Sequence, residues 1–97
     1  MAAVISTRVW IFGPGDYAAL TAAQKLQLRT AVRIASIYWK SPTNIADTFS
    51  ILDNSGNIIQ DGVCEVALQS QYFNKNNWFQ GVTAVNVSTG TLEINIY

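Results

Sequence analysis

The stretch VTAVNVSTGTLEINIY, residues 82–97, sets the fold class of this chain. Leu92, Ile94 and Ile96 alternate with Thr91, Glu93 and Asn95. Successive side chains leave a strand on opposite faces, so this period of two marks a half-buried β-strand with the aliphatics facing inward. Ser88-Thr89-Gly90 interrupts the pattern with turn residues, and Val82–Val87 and Thr91–Tyr97 therefore read as a hairpin around it.

The same chemistry recurs upstream. Thr48–Leu52 leads into Asp53-Asn54-Ser55-Gly56-Asn57, whose residues tolerate the left-handed backbone of a hairpin turn, and Ile58–Leu68 returns, with Asp61-Gly62 marking an irregularity. Apolar residues alternate again from Leu26 to Ile34. Ile37-Tyr38-Trp39 continues the run after a phase shift at Ala35–Ser36, which predicts a bulge, and Ser41-Pro42-Thr43-Asn44 stops it. Gln69–Gln80 follows neither period and is expected to be a loop.

One stretch is rich in alanine, and within it Thr21-x-x-Gln24 has the form of a capping box; a short helix is predicted over residues 17–26. Val4–Phe12 is β-branched and aromatic, with Val9–Phe12 apolar on both faces, so it is either a strand of the domain or an arm lying on a neighbour. Gly13-Pro14-Gly15-Asp16 ends it. The expectation is one domain over 1–97: an N-terminal strand or arm over 1–13, a helix over 17–26 and a β core over 28–97. Its class is mainly β, a small antiparallel β-sandwich or barrel of about six or seven strands with one short helix near the N-terminus.

Composition narrows the function. Of the 97 residues 49% are hydrophobic, enough for a core, while only 12% are charged and the net charge is zero. Weak self-repulsion favours association, so a homo-oligomer or a permanent partner is expected. Eight Asn, six Gln, eight Thr and seven Ser supply the polar surface, groups that are covered at lower desolvation cost than ions. The six cations are dispersed along the chain, an arrangement unlike the clustered cations that bind a phosphate backbone, and no nucleic-acid partner is expected. No export signal opens the chain and no apolar run approaches membrane-spanning length, so a soluble protein without a membrane partner is predicted.

Catalysis finds little support. The chain has no histidine and a single cysteine, Cys64, which removes the Ser-His-Asp and Cys-His arrangements, a disulfide and the usual zinc sites. Cys64 reads as a buried core thiol. The acids Asp47, Asp53, Asp61 and Glu65 stand at strand ends or turns, where capping and solvation are ordinary roles. Asp53-x-Ser55-x-Asn57 echoes a calcium loop, but its glycine is misplaced and the twelfth position is Cys64. We expect no enzyme, no cofactor and no bound metal.

Two aromatic segments are the candidate contact surfaces: Trp10 with Phe12, and Tyr72, Phe73, Asn76, Asn77, Trp78 and Phe79. The second admits three uses: a roof over the core, a protein interface with aromatic anchors among adaptable amides, or a sugar-stacking platform. The N-terminal segment has the character to add to a neighbour's sheet edge.

Residues 30–97 resemble a family of short bacteriophage structural proteins. The likeness runs through Ile37-Tyr38-Trp39, Ser41-Pro42-Thr43, Asp47-Thr48, Ile51-x-Asp53 and Gly56-Asn57. It continues through Cys64-Glu65-Val66-Ala67, Ser70-Gln71-x-Phe73, Trp78-Phe79-x-Gly81 and Gly90-Thr91-Leu92-x-Ile94. The first 29 residues have no counterpart in it. The resemblance implies a capsid cement or decoration protein, made in the host cytoplasm and carried on the virion exterior. Its implied partners are the major capsid protein and itself, as a trimer; a tail or neck component and a carbohydrate-binding module are the alternatives.

Overall fold

A computed structural model describes residues 3–6 and 8–97. The fold is mainly β and sandwich-like, with eight strands in two antiparallel sheets and one short helix among the described residues. The five-stranded sheet runs, edge to edge, β1 (Val4–Ile5), β2 (Val9–Phe12), β8 (Thr91–Ile96), β3 (Val32–Lys40) and β6 (Gln71–Phe79). The three-stranded sheet runs β5 (Ile58–Val63), β4 (Thr48–Leu52) and β7 (Ala84–Val87), and α1 (Ala22–Leu28) lies between β2 and β3 in the chain.

One core joins the two sheets. Phe49 of β4 sets its ring 4.9 Å from that of Trp39 on β3 and 5.5 Å from that of Phe73 on β6, both tilted. Tilted aromatic pairs at such spacing each add about 0.5–1.5 kcal/mol beyond their burial. Trp39 is fully buried, and its indole N–H is satisfied by the Thr89 carbonyl at 2.9 Å. Ile34, Ile37, Ile51, Leu92 and Ile94 complete the centre, all without solvent exposure. As the alternation predicts, Leu92 and Ile94 point inward, and Ile96 packs on the core margin.

Several local expectations hold. Thr21 caps α1 reciprocally with Gln24: the Gln24 N–H donates to the Thr21 hydroxyl, and the Thr21 N–H donates to the Gln24 amide oxygen. The β3 register shifts between Ile34 and Ser36, as the phase of the sequence requires. The Asp53 carboxylate accepts from the N–H groups of Ser55 and Asn57, closing the β4–β5 turn.

Others are corrected. The helix spans 22–28, not 17–26, because it starts after its cap; residues 16–20 form turns instead, with the Asp16 carboxylate accepting from the Gly13 N–H. Leu26 and Leu28 belong to this helix, not to the following strand, and Leu28 is its buried residue. Gln69–Gln80 contains the nine-residue strand β6, which raises the strand count; its bulge at Lys75–Asn76, with Asn76 at φ 44°, hides the period of two. β5 stops at Val63, well before Leu68, and passes through Asp61 and Gly62 in register. Gly62 stands directly opposite Phe49, and a Cβ there would lie 2.5 Å from the Phe49 ring.

β7 and β8 are not a hairpin. They lie in different sheets, and residues 88–90 carry the chain across. Gly90 makes this corner at φ 77°, where a Cβ would come within 2.5 Å of the Lys40 carbonyl oxygen. The N-terminal segment is a strand of the domain: β2 pairs with β8 from Val9↔Asn95 to Phe12↔Leu92. Residues 1, 2 and 7 of the expected arm lie outside the described residues.

Gly62→Ala should therefore lower stability by about 1–3 kcal/mol through overpacking against Phe49, read as a fall in the urea midpoint at unchanged slope. An unchanged midpoint would show that the ring has room to move.

Candidate functional site

The side chains of the five-stranded sheet that point away from the core form the candidate site. Residues paired across neighbouring strands share a face. One row runs Val4, Ile11, Glu93, Tyr38 and Tyr72, and another runs Val9, Asn95, Ser36 and Asn74. Arg33 pairs with Trp78 at one end, and Lys40 pairs with Thr91 at the other. On this face Val4, Tyr72, Asn74 and Trp78 are exposed, while Ile11, Tyr38, Glu93 and Asn95 are half-buried.

Side-chain ladders hold the face in place. Tyr38 and Tyr72 meet edge to face at 6.0 Å. Lys40 makes an ion pair with Glu93 at 2.9 Å and lies 5.5 Å from the centre of the Tyr38 ring. The hydrogen bond it donates to Glu93 holds the Lys40 ammonium above its ordinary pKa, with the Glu93 charge adding to the effect. At the far end the Arg33 guanidinium stacks 4.4 Å from the Tyr97 ring and donates to the Asn76 amide oxygen at 3.1 Å. Between them Asn95 donates to the Ser36 hydroxyl at 3.1 Å, which satisfies a serine that is almost fully buried. An open groove of about 380 Å³ runs between Trp78 and Tyr97 over Val32 and Ile96.

The strand alternation of β6 divides the candidates read from the sequence. Tyr72, Asn76 and Trp78 lie on the outward face, and Tyr72 and Trp78 are 61% and 65% exposed. Phe73 and Phe79 turn the other way and pack against the core, and the Asn77 side chain accepts from the Trp78 N–H. The stretch is thus both roof and surface. Trp10 and Phe12 are corrected as contact residues: at 6% and 0% exposure they are core of this domain, Phe12 packing 6.2 Å from Tyr17.

Sequence reasoning missed Arg33, Tyr38, Asn74, Glu93, Asn95 and Tyr97 as parts of the same surface. The signal was present in the period of two, which places Arg33, Tyr38 and Lys40 opposite the buried Ile34, Ile37 and Trp39 once the bulge is counted. What the sequence lacked was the strand order that sets β3 between β8 and β6.

Two of the four acids singled out in the sequence, Asp47 and Asp53, have local partners. Asp53 closes its turn, and the Asp47 carboxylate accepts from Thr89 Oγ1 and from the Asn44 N–H. Cys64 is buried, with its sulfur 3.2 Å from the Val66 carbonyl oxygen. Among the described residues no three His, Cys, Asp or Glu side chains gather as a metal site. No protein-family model, curated protein or solved structure matches the chain.

Hydrogen bonding from Thr89, then from Asn44, holds the Asp47 carboxyl below its ordinary value. A carboxyl with a lower pKa in the folded than in the unfolded state stabilises the fold above the ordinary value of about 3.9. That contribution is lost as the pH falls through the folded value. Asp47→Asn should therefore flatten the acid limb of the stability curve below about pH 4, measured by urea midpoints across that range. An acid limb parallel to that of the native chain would show that Asp47 takes no part.

Proposed function

We propose that this chain is a structural protein that binds a protein surface through the outer face of its five-stranded sheet. We further propose that it serves as a capsid cement or decoration protein of a phage virion. The observation that carries the binding role is the exposure of Tyr72, Trp78 and Tyr97 beside Tyr38, Asn74, Asn76, Asn95 and Arg33 on one face of the sheet. Aromatics with few rotamers and adaptable amides are the side chains from which protein contact surfaces are built. Pre-ordering by the Arg33–Tyr97 and Tyr38–Tyr72 contacts reduces the entropy lost on docking.

The partner follows from the resemblance of residues 30–97 to small phage virion proteins. In that role the face would lie across adjacent subunits of the major capsid protein on the virion exterior. A ligand that binds the assembled lattice and not its free subunits stabilises the lattice by linkage. Repetition over symmetric copies would multiply a modest interface into shell stability.

A second use of the same face is favoured by one feature. Tyr72 and Trp78 stand exposed on a single strand with Asn74 and Asn76 between them, an arrangement that also suits sugar stacking with amide hydrogen bonds.

Co-sedimentation with shells of the encoding phage, stripped of this protein, tests both. Saturable binding is expected, weakened at least about tenfold in Tyr72→Ala with Trp78→Ala, while exposed positions leave the unfolding midpoint almost unchanged. Hundreds of copies per virion by mass spectrometry would fit a shell protein, and about a dozen a tail or neck component. Absence of shell binding with Trp78-dependent binding on a glycan array would replace the capsid role with the carbohydrate one.

A further inference from the structure

The cations dispersed along the sequence are sorted in space. Arg8, Arg29 and Arg33 lie at the end of the sandwich where β2 and β3 begin and β8 and β6 finish. Lys25 joins them, 5.5 Å from the centre of the Tyr17 ring, whose hydroxyl donates to the Thr83 carbonyl beside the β4–β5 turn. Asp53 is the one acid at this end. In the opposite half lie Asp16, Asp47, Asp61, Glu65 and Glu93, with Lys40 the one cation, and Lys75 sits midway along β6. The side chains of residues 1, 2 and 7 are uncharged. A net charge of zero thus conceals a molecule that is basic at one end and acidic at the other.

The acidic end also exposes aliphatic surface. Ile45, Val63, Val66 and Leu68 are all more than half exposed. The loops that carry them are tied together: the Ala46 N–H donates to the Cys64 carbonyl at 2.8 Å, the Cys64 N–H to the Asp47 carbonyl at 2.7 Å, and the Leu68 N–H to the Pro42 carbonyl at 2.7 Å. Ala46 and Leu68 sit at φ 75° and 65°, a region that is unfavourable for residues with side chains. The basic end has its own exposed apolar groups, Leu26, Ile58, Trp78 and Tyr97.

We propose that the basic end of one copy docks on the acidic, aliphatic end of a second copy, head to tail. A second copy matches the observations because it brings opposite charge and apolar surface together, in amounts set by the same sequence. Nucleic acid would satisfy the basic end alone; its phosphates would be repelled by Asp61 and Glu65 and would cover none of the aliphatic side chains. Contact between two different patches of identical chains is heterologous, so it closes into a ring or extends into a filament, depending on the rotation between copies. The proposal does not rest on the sheet-face role, because Arg8, Arg29, Asp61 and Glu65 lie off that face.

These four residues are exposed, and their side chains make no hydrogen bond or ion pair among the described residues. They are therefore suited to charge reversal in the full chain, followed by sedimentation velocity. The native protein is expected to self-associate at about 0.1 M ionic strength, and at least about tenfold more weakly at about 1 M, where the Debye length is about 3 Å. Arg8→Glu with Arg29→Glu should be monomeric alone, as should Asp61→Lys with Glu65→Lys, and an equimolar mixture of the two should associate. Matching circular dichroism and thermal midpoints verify folding; if a double reversal unfolds, Arg29→Gln and Glu65→Gln should each weaken association of the native chain.

Four outcomes would overturn the proposal. These are a native monomer at about 0.1 mM under both conditions, association that strengthens with salt, a mixture no better than its parts, and retention on duplex DNA without self-association.

Discussion

The Phe49 ring is the contact on which the two-layer arrangement depends. It belongs to the smaller sheet, yet two of its aromatic neighbours, Trp39 and Phe73, belong to the larger one. Gly62 on the adjacent strand leaves the ring the room to sit there. A side chain at that position would crowd the ring against its partners. The low charge content of the sequence fits this design, since a chain of 97 residues needs most of its apolar groups for one shared core.

Side chains turned out of that core are organised by the same ladder that positions the inward ones. Because β3 is flanked by β8 and β6, its outward residues Ser36 and Tyr38 have neighbours on both sides. Tyr38 thereby acquires Glu93 and Tyr72, and Arg33 acquires Tyr97 and Trp78. Side chains on the outer surface are thus tied to one another as those of the core are, an arrangement that limits the freedom they could lose on contact.

Local chemistry was the legible part. The cap at Thr21, the turn at Asp53–Asn57, the bulge beside Ala35 and the inward set of β8 all follow from nearest-neighbour rules, and each is found. Errors arose where distant residues decide. β6 looks irregular because its bulge interrupts the alternation, and only its pairing with β3 makes it a strand. The β7–β8 corner has hairpin composition, but the Trp39 indole donates to the Thr89 carbonyl and Thr91 pairs with Lys40, which takes the chain to the other sheet. Trp10 and Phe12 look like contact residues because the sequence does not reveal that Ile94 and Leu92 of β8, far along the chain, lie beside them. Half of the candidate surface was legible for the same reason: β6 could be read as a segment, whereas the strands beside it could not.

The central position of β8 in the larger sheet also bears on when the fold can form. It is the last of the strands in sequence, and β2 and β3 meet only through it. On a ribosome the first eighty or so residues would wait with two sheet edges unpaired and the aromatic residues of β2 and β3 without their lid. Closure joins β2 to a strand far along the sequence, a loop-closing step that costs entropy before any contact rewards it and so slows folding. The sheet therefore completes only once β8 is available, and the face it presents comes into being all at once.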